Sequence, residues 1–465
     1  MAIKNTFMSF DEIHRLFTSS KRIFFIGIGG VSMSALAEYC HFCGKEIFGY
    51  DKVRSKVTDR LEKVGSISYY STPDNVTGMD MVIYTNAIGE DCFEYRRARK
   101  MSIPVISRAN FLGYIISLHK NKIGISGMHG KSTTCAMLGH IFEYACKSPT
   151  IFCGAEMREF GSVCKFGGRE WIIFEACEYQ NSFLSFPVTQ AGVLNIEMDH
   201  PDFFSSIEEI KSSFNKHIKD AERVFINCDD LHSRALQHRN IITYGFSPDA
   251  TYRAEMVYIG TDKCNHSPAM SKPLSCFKVY RSDTLLAECT LPICGEHFIY
   301  DALCAFAISH CCGIAPNIIA YALSDFKGSR RRMELVKKMN TGSDIFEDYA
   351  HHPREISASL SALSKMGYQK ILCVFQPHTF SRTHYLYKDF TSSFSCASRV
   401  IIAPVFSARE ENIFELSEEG FARDCGGMYL KSAKEIADFI KSASYDCVVL
   451  MGAGDISEKI LHFLN

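Results

Sequence analysis

Short apolar runs that end in polar or glycine-rich turns recur along the whole chain of 465 residues. Apolar runs of about four to eight residues are typical of strands that are buried on both faces of a parallel sheet. On this basis the sequence predicts strands within residues 21–30, 46–49, 80–87, 122–126, 171–175, 191–195, 344–353, 370–375 and 448–455.

Between these runs, apolar residues recur at helical spacing, as in residues 133–144 and in the alanine-rich residues 295–309. Strands that alternate with helices indicate an α/β fold with parallel sheets. At about 150 residues per domain, the length predicts three domains. We expect a linker near residues 112–121. Residues 221–290 combine short strands and turns without a recognisable chemical motif.

The segment 127–132, Gly-Met-His-Gly-Lys-Ser, lies between a predicted strand and a predicted helix. Strand, glycine turn, Lys-Ser and helix form the layout of a phosphate-binding loop, in which backbone N–H groups and the helix N-terminus meet phosphate oxygens. In such a loop Lys131 reaches the β- and γ-phosphates and the Ser132 hydroxyl lies on Mg²⁺. A glycine-rich turn with an incidental Lys-Ser pair is the alternative.

Carboxylates follow two strands after this loop. Glu175 ends the strand 171–175, where a phosphate-loop enzyme keeps a Mg²⁺ ligand. The strand 191–195 runs into Glu197, Asp199 and His200, which together predict a second divalent-metal site.

An earlier glycine turn, Gly27-x-Gly29-x-x-Ser32, follows the first predicted strand, and Asp51 follows the second. This spacing is close to a dinucleotide fingerprint, in which the acidic residue accepts from a ribose hydroxyl. The turn indicates that backbone amides meet a diphosphate, which a UDP-sugar carries as well as NAD does. A tight turn without a ligand is the third alternative, because a fold does not fix a function.

Two polar segments lie near the last domain. Arg330, Arg331 and Arg332 are either a solvated turn or an anion clamp, and His351 either caps a helix or contacts a substrate.

Composition restricts the class of protein. The formal net charge of −1 gives no overall field toward nucleic acid or anionic lipid, so we expect neither as a partner. No apolar run approaches the ~18 residues needed to span a bilayer, and the N-terminus lacks a signal-peptide pattern. We therefore expect a cytoplasmic protein with free, mostly buried thiols. The single C-x-x-C motif, Cys40 to Cys43, predicts core packing rather than a zinc or redox site.

Six motifs in order make the chain resemble the Mur ligase family over nearly its whole length. The pair Asp-Tyr-Ala-His-His-Pro and Phe-Gln-Pro-His is specific to the branch that adds alanine and to its relative that recycles muropeptides. The motifs lie at residues 25–34, 130–134, 175–184, 195–200, 348–353 and 375–383.

The resemblance implies a Rossmann-like UDP-sugar-binding domain at residues 1–115, a central P-loop ATPase-type domain at 116–325 and a Rossmann-like, amino-acid-binding domain at 326–465. It also implies the reaction. ATP would phosphorylate the lactyl carboxylate of UDP-N-acetylmuramate, and the amine of L-alanine would attack the acyl phosphate, in peptidoglycan precursor synthesis. ATP, the UDP-sugar and alanine would be the partners, Mg²⁺ the cofactor, and the protein a monomer or homodimer.

The family's functional residues map onto matching positions of this chain. The implied catalytic residues are Lys131, Glu175, His200, Arg332, His351 and Arg382. The implied ATP-binding residues are Gly127, Met128, His129, Gly130, Lys131, Ser132, Thr133 and Asp301. The implied UDP-sugar-binding residues are Gly27, Gly29, Gly30, Ser32 and Asp51, and the implied metal ligands are Ser132, Glu175 and His200. Arg382 is expected at the alanine carboxylate, because a guanidinium can form two parallel hydrogen bonds to a carboxylate. His352 is expected beside it.

The chain departs from the family pattern in its nucleotide motif. Phe298 and Asp301 replace two asparagines, and we expect Asp301 to accept from the adenine amino group but not to donate to a ring nitrogen. Cys177 and Pro404 replace aspartates, and Thr379 replaces an arginine. These changes keep two alternatives open: a ligase for another amino acid or a peptide, and a non-catalytic UDP-muramyl-binding paralogue. The interpretation as a dehydrogenase is supported only by the first glycine turn.

Overall fold

Three parallel or mostly parallel sheets follow one another along the chain in this computed structural model. It describes residues 5, 7–201, 203–261, 273–340, 342–408 and 410–464. Helices cover the sheets, so the α/β fold with three domains is confirmed. None of the helices within these ranges has the length and apolar character needed to cross a lipid bilayer.

The first sheet has five parallel strands in the order β3-β2-β1-β4-β5. Its strands are β1 Arg22–Ile26, β2 Glu46–Tyr50, β3 Gly65–Ser68, β4 Met81–Tyr84 and β5 Val105–Ser107, with helices α1 Phe10–Ser19, α2 Val31–Phe42, α3 Lys56–Leu61, α4 Phe93–Lys100 and α5 Arg108–Ser117. This is a Rossmann-like order, which reverses direction beside β1, where ligands bind in such sheets.

Helix α5 corrects the expected linker. Leu112 is buried inside this helix, so the segment near residues 112–121 is mostly packed helix. The boundary predicted between residues 115 and 116 also falls within it. Gly113 lies against the backbone of Ser185 in the central domain, and a Cβ atom at Gly113 would lie 2.1 Å from the Ser185 carbonyl oxygen. The first two domains therefore pack closely.

The central sheet has ten strands in the order β15-β14-β13-β12-β11-β10-β6-β9-β7-β8. The strands are β6 Asn121–Ser126, β7 Thr150–Met157, β8 Ser162–Lys165, β9 Trp171–Glu175, β10 Gln190–Val193, β11 Arg223–Asn227, β12 Ile241–Gly245, β13 Tyr252–Thr261, β14 Pro273–Arg281 and β15 Thr284–Leu291. The helices are α6 Lys131–Tyr144, α7 Ile207–Ile218, α8 Glu296–Cys311 and α9 Pro316–Ser324. The segment around residues 221–290, in which no chemical motif was recognised, thus supplies the five strands β11 to β15. Of these, β13, β14 and β15 are antiparallel neighbours.

The last sheet has the order β16-β17-β21-β18-β19-β20, with only β16 antiparallel to its neighbour. Its strands are β16 Glu334–Lys338, β17 Asp344–Asp348, β18 Ile371–Phe375, β19 Arg399–Ile402, β20 Met428–Tyr429 and β21 Cys447–Met451. Its helices are α10 Pro353–Lys365, α11 Phe380–Tyr385, α12 Tyr387–Ser392, α13 Glu418–Asp424, α14 Ala433–Ser442 and α15 Ile456–Leu464. Apolar clusters fill both faces of this sheet, and polar turns follow β17, β18 and β21 at one edge.

The cysteines behave as the composition suggested. Every described cysteine carries a free thiol. Cys40 is buried in α2, whereas Cys43 is exposed just after it, so the C-x-x-C motif forms no paired site.

Candidate active site

The loop between β6 and α6 has the backbone of a phosphate-binding loop. Gly127 and Gly130 have φ angles of 137° and 82°, a region that favours glycine. Gly130 caps α6, so Lys131 is the first residue of the helix. The Lys131 ammonium group donates to the carbonyl oxygens of Gly127 and Met128. The loop therefore curls around its own lysine, at the end of a helix whose N–H groups suit an anion.

Lys131 also pairs with Glu178, at 3.1 Å between Nζ and Oε2. Burial alone would lower the pKa of Lys131, but Glu178 raises it above its ordinary value. On the other side of Glu178 lies His200, with 3.5 Å between Nε2 and Oε1. Glu178 thus links the loop lysine to the predicted histidine ligand, although its role was not predicted from the sequence. Its position three residues after Glu175 was the available signal.

Ser132 and Glu175 are neighbours, as a shared metal site requires. The Ser132 hydroxyl donates to Glu175 Oε2 over 2.8 Å, and the Gly154 backbone N–H donates to the same oxygen over 2.9 Å. A serine hydroxyl and a carboxylate are the hard oxygen ligands that suit Mg²⁺. His200 has a left-handed backbone, with φ 52°, and its ring lies 4.5 Å from that of Tyr179.

Glu197 and Asp199 do not join His200 in one carboxylate–histidine cluster. Glu197 lies beside His129 and His352, and the candidate ligand atoms of these three residues are within 4.8 Å of one another. Arg354 donates to Glu197 over 2.9 Å, so this carboxylate already has a cationic partner. Asp199 contacts His200 at 3.9 Å but is held mainly by Arg382. The predicted second metal site therefore does not assemble from these residues in this structure.

A cavity of about 180 Å³ opens beside the phosphate loop, between the central and last domains. Its lining includes His129 and Gly130 from the loop, Thr133 from the first turn of α6, Asp301 from α8 and Arg332 from the last domain. Loop residues, Asp301 and Arg332 therefore meet around one cavity.

Asp301 does not behave as the sequence suggested. It is 6% exposed, and burial raises the pKa of its carboxyl group to about 8. At neutral pH the group is therefore largely protonated. A neutral carboxylic acid has one O–H donor beside its carbonyl acceptor, whereas an asparagine amide has two N–H donors beside its own. A protonated Asp301 can donate one hydrogen bond, which the expectation from the sequence did not consider.

The three consecutive arginines have three different surroundings. Arg330 pairs with Glu334 on a half-exposed turn, and Arg331 donates to the carbonyl oxygens of Gly452 and Gly454. Arg332 alone lines the cavity, where Glu355 lies 3.8 Å from its Nη1. The segment is therefore partly a structural turn, and one of its members faces the cleft.

The two histidines before α10 also differ in role. His352, not His351, is the N-cap, and its Nδ1 atom accepts from the Arg354 backbone N–H over 3.4 Å. His351 Nδ1 lies 3.0 Å from the Tyr349 carbonyl oxygen and 3.3 Å from Glu355. Burial lowers the pKa of His351 to about 3 and that of His352 to about 4. Both rings are therefore neutral at physiological pH.

Arg382, expected at the amino-acid end, is held by the central domain. Its Nε atom donates to Asp199 Oδ1 over 3.0 Å, its Nη2 atom to Oδ2 over 3.4 Å, and its Nη1 atom lies 3.1 Å from His378. Burial would raise the pKa of Asp199, but Arg382 holds it well below its ordinary value. The pair joins α11 to the segment that carries His200.

In the first domain, the predicted glycine turn is present but Asp51 is already engaged. Its Oδ2 atom accepts from the Gly29 backbone N–H over 2.7 Å, and its Oδ1 atom from that of Val53 over 3.2 Å. Gly27 has φ 81°, and Gly30 caps α2. Asp51 thus holds the turn in shape, which the fingerprint alone did not indicate.

Three family profiles match successive parts of the chain. They are the Mur ligase family, catalytic domain, at residues 22–120, the Mur ligase middle domain at 125–309, and the Mur ligase, glutamate ligase domain, at 331–454. Together they span most of the chain and follow its three sheets.

Curated relatives match over nearly full length. UDP-N-acetylmuramate--L-alanine ligase of Caldanaerobacter subterraneus subsp. tengcongensis is 35% identical over 459 residues, which cover 96% of this chain and 97% of that protein. The protein of the same name from Caldicellulosiruptor bescii is 36% identical and covers 94% and 97%.

Solved structures agree with these matches. UDP-N-acetylmuramate-alanine ligase from Thermotoga maritima aligns with a TM-score of 0.80 at 25% identity, over 95% of this chain and 98% of that one. A murein peptide ligase from Psychrobacter arcticus 273-4 aligns with a TM-score of 0.69 over 96% and 98%, and at 20% identity it supports the fold alone. By profile, sequence and structure, the chain belongs to the Mur ligase family.

Proposed function

We propose that this chain is an ATP-dependent ligase that joins L-alanine to the lactyl carboxylate of UDP-N-acetylmuramate, in peptidoglycan precursor synthesis. The observation that carries the proposal is the match of about 35% identity, over nearly all of both chains, to relatives named for this reaction. The phosphate loop, with Ser132 and Glu175 at its head, is the chemistry that such a ligase needs. We place the protein in the cytoplasm, as a monomer or homodimer.

The proposal divides the work among the domains. The first domain, through the end of α5, binds the UDP-sugar at the turn of Gly27, Gly29, Gly30 and Ser32. The central domain, up to residue 325, binds ATP, and residues 326–465 bind the amino acid. The loop glycines and the free volume beside Asp301 and Arg332 support the second assignment.

Mg²⁺ fits the oxygen pair of Ser132 and Glu175, and His200 is the proposed ligand of a second ion. When bound, the ion neutralises phosphate charge and orients the γ-phosphate. The Ser132 hydroxyl oxygen lies 2.8 Å from Glu175 Oε2, which supports a site where both contact one ion. His200 is linked to this site by Glu178, whose carboxylate contacts His200 and also accepts a hydrogen bond from Lys131.

The chain's own residues then position and neutralise charge. A carboxylate is a poor electrophile, so one of its oxygens takes the γ-phosphoryl group from ATP, ADP leaves, and that oxygen can then depart with the phosphate. The amine of alanine attacks the acyl carbon, phosphate leaves, and an amide results. Lys131 holds the β- and γ-phosphates, and Arg332 reaches toward them from the last domain. Buried cations around a developing negative charge supply much of the catalysis in such sites.

The amino-acid end is assigned to His351 and Arg382. Asp199 accepts from two atoms of the Arg382 guanidinium, which has five N–H donors in all, so donors remain for a substrate carboxylate. The neutral His351 ring lies nearby, 5.9 Å from the His378 ring.

Phosphate release from ATP tests the proposed function. The wild-type protein is assayed with UDP-N-acetylmuramate and, in turn, alanine, serine, glycine and a tripeptide. We expect release that requires both the UDP-sugar and alanine. Preference for another acceptor would indicate a related ligase, and no release with any acceptor would indicate a non-catalytic paralogue. NAD binding without an ATP requirement would indicate a dehydrogenase.

A further inference from the structure

Arg108, which no motif singled out, joins the first domain to the central one. It is the first residue of α5 and directly follows β5. Its Nη1 atom lies 3.2 Å from the Ser32 hydroxyl oxygen of the glycine turn, and its Nη2 atom lies 3.3 Å from that of Ser182. Ser182 belongs to the short 3₁₀ helix Tyr179–Ser185, which follows Glu178.

The Arg108 side chain is only partly exposed and has no counterion in the described part of the chain. Among the residues that the structure describes, none brings a carboxylate within ion-pair distance of Arg108, and its side-chain hydrogen bonds are to two neutral hydroxyl groups. Burial lowers the pKa of Arg108 below its ordinary value, which a carboxylate partner would oppose. A partly desolvated charge without a partner carries a cost, so such groups are normally paired. An anionic ligand would supply the partner that this arginine lacks.

The position of Arg108 indicates which anion. The carboxyl ends of β1 and β5 lie at the same edge of the first sheet. Ser32, which Arg108 touches, is in the first turn of α2, where the backbone N–H groups after Gly30 face outward. Asp51 already accepts from Gly29 and offers nothing to an anion. A guanidinium at this edge can form two parallel hydrogen bonds to phosphate oxygens that rest on the helix end.

We propose that Arg108 binds the diphosphate of the sugar nucleotide and, through Ser182, holds the central domain against the same ligand. This inference rests on the proposed function and adds a positioning residue to it. The lactyl carboxylate is a less suitable partner, because it must reach the phosphate loop that carries Lys131. Gly113 packs closely against Ser185 and so holds the first two domains together. Because of this packing, Nη1 of Arg108 stays beside Ser32 and Nη2 stays beside Ser182.

Calorimetric binding of UDP and of UDP-N-acetylglucosamine isolates the diphosphate, since neither carries the lactyl carboxylate. We compare Arg108→Met, Arg108→Lys and the control Arg99→Met, an exposed arginine on α4 of the same domain. We expect Arg108→Met to weaken both ligands about tenfold to hundredfold, the range of a lost charge-assisted pair. Arg108→Lys should recover part of this affinity, because it keeps the charge but not the two-pronged geometry. Arg99→Met should bind as the wild type does.

Two further measurements distinguish a role of Arg108 in binding from a role in folding. The KM for the sugar nucleotide should rise in Arg108→Lys while the KM for ATP stays unchanged. The ligand-free melting temperature of Arg108→Lys should match that of the wild type, whereas the rise in melting temperature on adding UDP should shrink. A merely structural arginine would lower the ligand-free melting temperature and raise both KM values.

Unchanged UDP affinity in both Arg108 variants would overturn the proposal. A loss confined to UDP-N-acetylmuramate would also overturn it, since the anion would then be the lactyl carboxylate. A wild-type protein that binds UDP through Arg108 but releases no phosphate would refute the proposed function and leave the Arg108 assignment intact. Absence of UDP binding by the wild type would refute both.

Discussion

The substitution Asp301→Asn should stabilise the central domain, and by more at high pH than at low pH. The pKa of Asp301 is raised from 3.8 to about 8 by burial. Between these values the unfolded chain has lost the Asp301 proton while the folded chain retains it. Because the folded state binds one proton more, stability falls as pH rises from about 4 to about 8. An asparagine removes this dependence and keeps the shape of the neutral acid.

The expected size follows from the shift. One pKa unit is worth about 1.36 kcal/mol, so the stabilisation by Asp301→Asn can grow by at most ~4 kcal/mol between pH 5 and pH 8. Relaxation and water near a carboxylate reduce such values. Half of the bound, ~2 kcal/mol, still shifts the melting temperature of a domain of 150–250 residues by ~4–8 °C.

Fluorescence of the single tryptophan reports on unfolding of the central domain alone. Trp171 lies in β9 of the domain that holds Asp301, and its ring packs 5.1 Å from that of Phe142. Tryptophan fluorescence therefore follows unfolding of this domain, although a three-domain chain need not unfold in one step. Asp283→Asn, in an exposed turn of the same domain, is the control. Equal effects of Asp301→Asn at pH 5 and pH 8 would show that Asp301 is ionised and refute the reasoning.

Three other changes test separate parts of the structure. Lys131→Ala should abolish phosphate release and leave UDP-sugar affinity nearly unchanged by calorimetry; loss of that affinity would contradict the domain assignment. Gly130→Ala should weaken ATP binding and lower the melting temperature, because φ is 82° and the added Cβ would lie 2.2 Å from Asp301 Oδ1. His217, stacked on Phe183, has its pKa lowered to about 4 by burial, so stability should fall as pH drops from about 6.5 to about 4. His217→Phe should flatten this acid limb in thermal melts, and an unchanged limb would show that His217 titrates normally.

The sequence predicted best what is contiguous in the chain. The strand before the phosphate loop, its glycines and Lys-Ser pair occupy neighbouring positions, and β9 has the bounds 171–175 that its apolar run indicated. The position of Glu175 at a strand end followed from the parallel sheet, since neighbouring strands end at one edge.

Side-chain partners that are distant in sequence could not be predicted in this way. Arg108 is 76 residues from Ser32 and 74 from Ser182, and nothing near it in the sequence marks it as functional. Asp51 fitted a ligand pattern, yet its oxygen is taken by Gly29. The ionisation of Asp301 depends on burial, which appears only once α8 packs against the phosphate loop. Such features depend on packing rather than on local pattern.

The pair of Asp199 and Arg382, 183 residues apart, limits how freely the three domains can be exchanged between relatives. A last domain taken from another ligase would have to place an arginine where Arg382 lies in order to pair with Asp199. An unmatched carboxylate beside His200 would then disturb the proposed metal ligand as well as the amino-acid pocket. Chimeric ligases should therefore be designed with the segment 195–200 transferred together with the last domain, as one inherited unit.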